Sequence, residues 1–193
     1  MGKNSKTTDF LKECMADALI CLMQEKPLDK ISAAEITERA GVGRATWFRH
    51  FSSKEEAVTF KLLRLWEHWA EAHNLRDRER YGVDNAIYFF RFNYEIRELH
   101  VLIYQVGLRS AIYDAYYGIL MPVLDSSGED PRARYEGKFF SYGLFGLLDE
   151  WIKNGFRETP RELSHLYRRA ITGSLRSMSE KKRKKDGDEG GHA

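Results

Sequence analysis

Apolar residues recur at helical spacing along almost the whole chain, and no stretch shows the period-two alternation of a half-buried strand. The first stripe, Leu11, Met15, Ala18, Leu19 and Leu22, predicts a helix from about Thr8 to Gln24, with Pro27 beyond its end. Two short helical patterns follow. Ser32 and Glu35 have capping-box spacing, Ile36 and Ala40 form an inner face, and Gly41 supplies the left-handed backbone that stops the helix and turns the chain. A second short helix is predicted from Arg44 to His50. Trp47 and Phe51, four residues apart, are expected to pack it onto the first helix. Ser53 with Glu56 then caps a long helix from about Lys54 to Asn74 that carries Val58, Leu62, Leu65, Trp66 and Trp69.

Further helices are predicted at about Val83–Tyr94, Glu95–Val106 and Ser110–Leu124, with Pro122 near the end of the last. The run L-D-S-S-G-E-D reads as a polar loop, after which Asp130 and Pro131 are cap and first position of a helix to about Asn154. Its small and apolar residues, Phe140, Gly143, Leu144, Leu147, Leu148, Trp151 and Ile152, cover an arc too wide for one neighbour to bury. Thr159-Pro160-x-Glu162 opens a last helix whose stripe is Leu163, Leu166, Tyr167, Ala170, Ile171, Ser174 and Met178. Two such helices can pair with their copies, and Gly143 and Gly146 let backbones approach. Phe140, Gly143, Leu144, Leu147, Trp151, Leu166 and Ala170 are therefore candidates for a two-fold interface, the alternative being an ordinary intrachain core.

The 193 residues, 42% apolar, suffice for a packed core, and the formal net charge is only +2. No apolar run reaches the 18 or so residues of a membrane helix, and no apolar signal segment opens the chain, so a cytoplasmic protein without membrane contact is expected. Cys14 and Cys21 lie about 10 Å apart on one predicted helix, too far to bridge, and read as small buried hydrophobes. The end K-K-R-K-K-D-G-D-E-G-G-H-A is expected to be disordered.

Charge is local rather than global. Between Arg39 and Lys54 stand Arg39, Arg44, Arg49, Lys54 and His50, with no acidic residue. Lys54 falls in the first turn of its helix, where the dipole disfavours a cation unless negative charge is near, and a phosphate suits that place. Helix, glycine turn and short basic helix is an arrangement that sets a recognition helix in the DNA major groove.

At these residues the chain resembles a known family. G-V-G-R-A-T-W-F-R-H-F-x-S-K-E-E is similar to the helix-turn-helix signature of the tetracycline-repressor (TetR) family of bacterial transcriptional regulators, over about Asp9 to Leu63. The segment G-L-F-G-L-L-D-E-W-I-K-N-G-F-R-E-T-P-R-E-L is similar to the last two helices of many members. The resemblance implies an all-α fold: a three-helix DNA-binding domain at 1–53, a helical effector-binding and dimerisation domain at 54–179, and a charged tail at 180–193. It implies that Arg44, Ala45 and Thr46 face base edges. Thr46, Phe48, His50 and Lys54 would lie along phosphates, with Ser32 and Arg49 also in the DNA-binding set. Where the family usually has a tyrosine that touches a phosphate, this chain has Phe48. One hydrogen bond is then missing, although the ring can still pack on sugar or a thymine methyl. Ala33 and Ala34 lack the polar side chains that often add backbone contacts.

The middle of the chain is rich in Tyr and Phe, where a family member would hold an inducer. Trp66, Trp69, Phe92, Tyr104, Tyr113 and Tyr116 are the candidate pocket, suited to a flat or amphiphilic small molecule. His68, Glu71 and His73 do not converge as metal ligands on a helix, and no nucleophile or phosphate-binding motif is present, so neither a cofactor nor an enzyme is expected. The reading is a homodimeric repressor of a palindromic operator, released by a small ligand. Its alternatives are an effector-independent DNA-binding protein and a helical adaptor or sensor that does not bind DNA.

Overall fold

The computed structural model describes residues 3–75, 86–124 and 131–170, which are helical with short turns and contain no strand. Residues 83–85 of the helix predicted at Val83–Tyr94, the 125–130 loop, the Ile171, Ser174 and Met178 end of the last stripe, and the 180–193 tail lie outside the described residues. Helix α1 spans Lys3–Glu25, starting earlier than its apolar stripe because polar residues extend the first turns. After a 3-10 turn at Leu28–Lys30 come α2 (Ala33–Arg39), α3 (Arg44–His50) and α4 (Lys54–Ala72). The second half holds α5 (Ala86–Glu95), α6 (Arg97–Gln105), α7 (Arg109–Leu124), α8 (Pro131–Lys153) and α9 (160–170).

Helix ends follow local chemistry. Gly41 sits at φ +67°, the Val42 amide donates to Thr37 O at 2.9 Å and the Gly41 amide to Glu38 O at 3.1 Å, so α2 closes in a Schellman turn. The same pair of bonds ends α4 at Asn74 and Leu75, and α6 at Gly107 and Leu108. Thr159 and Glu162 exchange the two hydrogen bonds of a capping box before α9, at 2.8 and 3.3 Å.

Helix α4 is the shared wall. On one side α1 packs along it, pinned by Lys61 to Asp17 at 2.5 Å and Arg64 to Glu13 at 2.8 Å. On the other side lies α7. Met15, Leu19, Ile36, Trp47, Phe51 and Leu62 form the core beneath the first three helices. Phe90, Phe92, Ile103, Ile112, Leu148 and Trp151 form that of the second half, continuous with the first through Trp66 and Trp69.

One expectation changes and one inner-face residue is added. Cys21 is exposed and Cys14 half-buried, because the buried face of α1 runs through Met15, Leu19, Leu22 and Met23 and leaves Cys21 on its outer side. Thr37 joins Ile36 on the inner face of α2, where its hydroxyl donates to Ala33 O at 2.9 Å and so enters the core without an unmet polar group.

Candidate nucleic-acid interface

The helical pair α2–α3 is held at both ends by its own side chains. Ser32 Oγ accepts the Glu35 amide at 3.2 Å, and the Glu35 carboxylate accepts the Ser32 amide at 2.9 Å. The same carboxylate takes a hydrogen bond from Lys26, which with the Ser32 amide and hydroxyl lowers its pKa to about 2. Arg39 pairs with Glu25 at 2.6 Å, tying the end of α2 to the end of α1. Trp47 and Phe51 are buried with ring centroids 5.2 Å apart, and Phe51 meets Phe60 of α4 edge-on at 5.8 Å. The Lys12 ammonium of α1 lies 4.1 Å from the centroid of Phe60. The underside of α3 is thereby fixed by α1 and α4.

The opposite side of α3 carries Arg44, Ala45, Phe48 and Arg49, all exposed, while Thr46 and His50 are half-buried on its flank. Arg44 and Arg49 form no ion pair with a described residue within 4.0 Å, so their guanidinium groups project from a rigid support with donors uncommitted. Phe48 is 66% exposed and shares the face of Arg44 rather than that of Thr46 and His50. The hydroxyl of Ser32 is engaged with Glu35.

Helix α4 starts differently from the box its sequence suggests. Ser53 Oγ accepts the Glu56 amide at 3.0 Å, but the Glu56 carboxylate returns to the amide and hydroxyl of Ser52, both at 2.7 Å. These two bonds hold the Glu56 carboxyl below its usual range. Lys54 Nζ donates to the carbonyl oxygen of Leu28 at 2.6 Å. The negative partner that a first-turn lysine needs is therefore a backbone carbonyl of the turn before α2. No spacing in the sequence announces that contact. Beside it, a cavity of about 410 Å³ separates the helical pair from the α6–α7 turn, lined by Ala33, Ile36, Trp47, Ser52, Ser53, Lys54, Glu55 and Leu108. Across it Ser110 donates to the Glu55 carboxylate.

The candidate pocket residues of the second half meet ring on ring. Trp66 and Trp69 stack at 5.8 Å, Phe92 lies edge-on to Trp66 at 5.2 Å, and Phe89 edge-on to Tyr116 at 4.8 Å. Trp69 Nε1 donates to Glu95 at 2.7 Å, whereas Trp66 Nε1 is buried without a partner among the described residues. Tyr113 packs against Tyr142 and Phe145, away from this group. Tyr104 donates to Asp149 Oδ1 at 2.5 Å, and Arg109 and Lys153 bind the same carboxylate at 2.9 and 2.7 Å. The sequence reading missed a buried polar centre. Asn93 Oδ1 accepts from Tyr116 and lies 2.7 Å from His100 Nε2, with Asn93 Nδ2 donating to Phe89 O at 2.8 Å. His68 faces Arg64 and His73 stacks on Trp69.

Of the candidate interface residues, Leu144 and Trp151 face inward. Trp151 packs on Phe90 and Phe156 and donates to Glu158 O at 3.0 Å. Leu147 is half-buried, Gly143, Leu166 and Ala170 are exposed, and the side chain of Phe140 lies outside those described. Space is open around Gly143 and Gly146.

A helix, a left-handed glycine turn and a short helix with a basic outward face, braced from below by two longer helices, define a helix-turn-helix DNA-binding unit. Residues 17–58 match the bacterial regulatory proteins of the tetR family, and residues 102–173 match a transcriptional regulator C-terminal region. The chain belongs to the TetR family of transcriptional regulators. A solved structure described as dihydroxyacetone kinase operon activator DhaS is similar over 88% of this chain and 96% of its own, at 18% identity and a TM-score of 0.49. No curated protein sequence gives a significant match. No described helix is long and apolar enough to cross a membrane.

Proposed function

We propose that the protein is a homodimeric repressor that binds a palindromic operator, one half-site per α3, and leaves it when a small molecule binds the domain at 54–179. The observation that carries this reading is the course of α4. Its first turn touches the turn before α2 through Lys54 and Leu28 and the start of α7 through Glu55 and Ser110, while Trp66 and Trp69 near its other end sit among the aromatic rings. A change in those rings that tilts α4 moves both copies of α3, whose separation must match the half-site spacing. Pairing of the exposed Gly143, Leu166 and Ala170 faces is the expected dimer contact.

Selection of bound sequences from randomised duplex DNA at a fixed salt concentration tests the first half. An enriched palindrome supports an operator-binding dimer, and absence of any enriched sequence from a folded dimer overturns it. The second half follows from linkage: operator DNA must weaken inducer binding by the factor by which inducer weakens operator binding, and inducer affinity unchanged by DNA excludes the mechanism. The contacts among Trp66, Trp69 and Phe92 favour a second reading, in which the domain takes no small molecule and a protein partner sets the operator occupancy.

A further inference from the structure

We propose that the cavity between the helical pair and the α6–α7 turn is a binding site for a small apolar zwitterion, of which an amino acid with a branched or aromatic side chain is the simplest. The site is separate from the aromatic group of the second half, and its occupation does not depend on the operator-binding reading. At about 410 Å³ the cavity falls within the range of about 300 to 1,000 Å³ usual for small-molecule sites. Its apolar wall comes from three places in the chain, Ile36 of α2, Trp47 of α3 and Leu108 of the α6–α7 turn. Trp47 is only 4% exposed, yet its indole N–H donates to no described residue and is left for a ligand at the cavity that the ring lines.

The polar wall holds one cation and one anion that are not spent on each other. Lys54 gives one of its three ammonium donors to the neutral carbonyl oxygen of Leu28, and Glu55 accepts from the neutral hydroxyl of Ser110. Neither forms an ion pair within 4.0 Å with a described residue, and both are partly buried at the cavity. A purely anionic ligand would meet Glu55 and a purely cationic one Lys54, while a neutral apolar ligand would strip water from both and replace it with nothing. A zwitterion answers each group: its carboxylate takes the spare donors of Lys54, its ammonium donates to Glu55, and its side chain covers Ile36, Trp47 and Leu108. Bound there, it joins α2 and α3 to the α6–α7 turn.

Titration calorimetry on the full chain tests this with L-leucine and L-phenylalanine, and with the carboxylic-acid and amine analogues of each, which keep the side chain and lose one charge. At least one of the two amino acids is expected to bind at one molecule per chain. Each of its analogues should bind about tenfold more weakly, because one charged group of the wall is then left unpaired. Glu55→Gln keeps an acceptor for Ser110 and removes the charge, so it should bind the amino acid and its carboxylic-acid analogue alike. Ala33→Leu, which grows a side chain from the lining of the cavity, should abolish binding. If circular dichroism shows that Ala33→Leu does not fold, the Glu55→Gln comparison decides. Absence of binding by both amino acids, equal binding of the analogues to the wild type, or an unaltered preference in Glu55→Gln would each overturn the inference. Full binding by folded Ala33→Leu would overturn it too and move the ligand to another part of the chain.

Discussion

The Lys54 ammonium group lies 2.6 Å from the carbonyl oxygen of Leu28 and joins the start of α4 to the turn that precedes α2. This bond spans 26 residues and ties the two segments directly. Lys54→Met keeps the aliphatic stem and removes the donor. A partly buried charged hydrogen bond of this kind contributes about 1.5 kcal/mol, so the urea midpoint should fall accordingly. If Lys54 also neutralises a phosphate, the salt dependence of operator binding should lose about one unit of slope for every sequence alike. An unchanged urea midpoint in Lys54→Met would show that the Leu28 contact carries no stability.

Arg44 should behave differently. It points away from the core and forms no ion pair with a described residue, so Arg44→Ala is expected to leave stability unchanged within about 0.5 kcal/mol. On operator DNA it should cost roughly 1 to 3 kcal/mol and relax preference at one base position, which repeated selection with the variant would reveal. Uniform weakening on all sequences would reassign Arg44 to the phosphates.

His100 makes stability depend on pH. Burial lowers its pKa from 6.5 to about 3, so the native protein keeps it neutral while the unfolded chain takes up a proton below about 6.5. Stability should therefore be unaffected above that value and fall as the pH drops from 6.5 toward 3. One proton limits the slope to about 1.4 kcal/mol per pH unit. Urea midpoints at pH 7.5 and 5.0 measure it, and His100→Gln should flatten the profile. The same slope in both proteins would assign the effect elsewhere.

Asp149 gathers Tyr104, Arg109 and Lys153 from three helices. These partners hold its carboxyl below the usual range even though burial opposes that, while burial, with the Asp149 carboxylate beside it, pushes the Tyr104 hydroxyl above its own. Tyr104→Phe removes one donor and should cost about 1 kcal/mol, while Asp149→Ala removes the shared acceptor and should cost more than twice that. Thermal melts of both variants give the comparison. A larger loss from Tyr104→Phe would mean that the hydroxyl, not the carboxylate, organises the group.

Residues that act within one helical turn were legible from the sequence alone. Ser32 with Glu35, Gly41, and Thr159 with Glu162 stand where their spacing puts them, because a cap is satisfied by its nearest neighbours. Trp47 and Phe51 were legible as inward for the same reason of phase. Glu56 shows the limit, since its carboxylate chose Ser52 over the adjacent cap residue Ser53, two options that spacing does not separate. Lys54 with Leu28, Asn93 with Tyr116, and Tyr104 with Asp149 join positions 23 to 45 residues apart, and one partner is a main-chain carbonyl common to every residue type. The outward placement of Phe48 was implied by the family resemblance. What it faces depends on the DNA.

Asn93 Oδ1 has a consequence for how the second half of the molecule can move. Asn93 stands on α5, His100 on α6 and Tyr116 on α7, and all three meet at that one oxygen. Rotating or sliding any one of these helices by itself strands an imidazole nitrogen or a phenol hydroxyl away from water, at about 1 to 3 kcal/mol for each group left unpaired. The oxygen thus acts as a rivet through three helices. Movement of the three together keeps every bond and is favoured by that amount over movement of one alone.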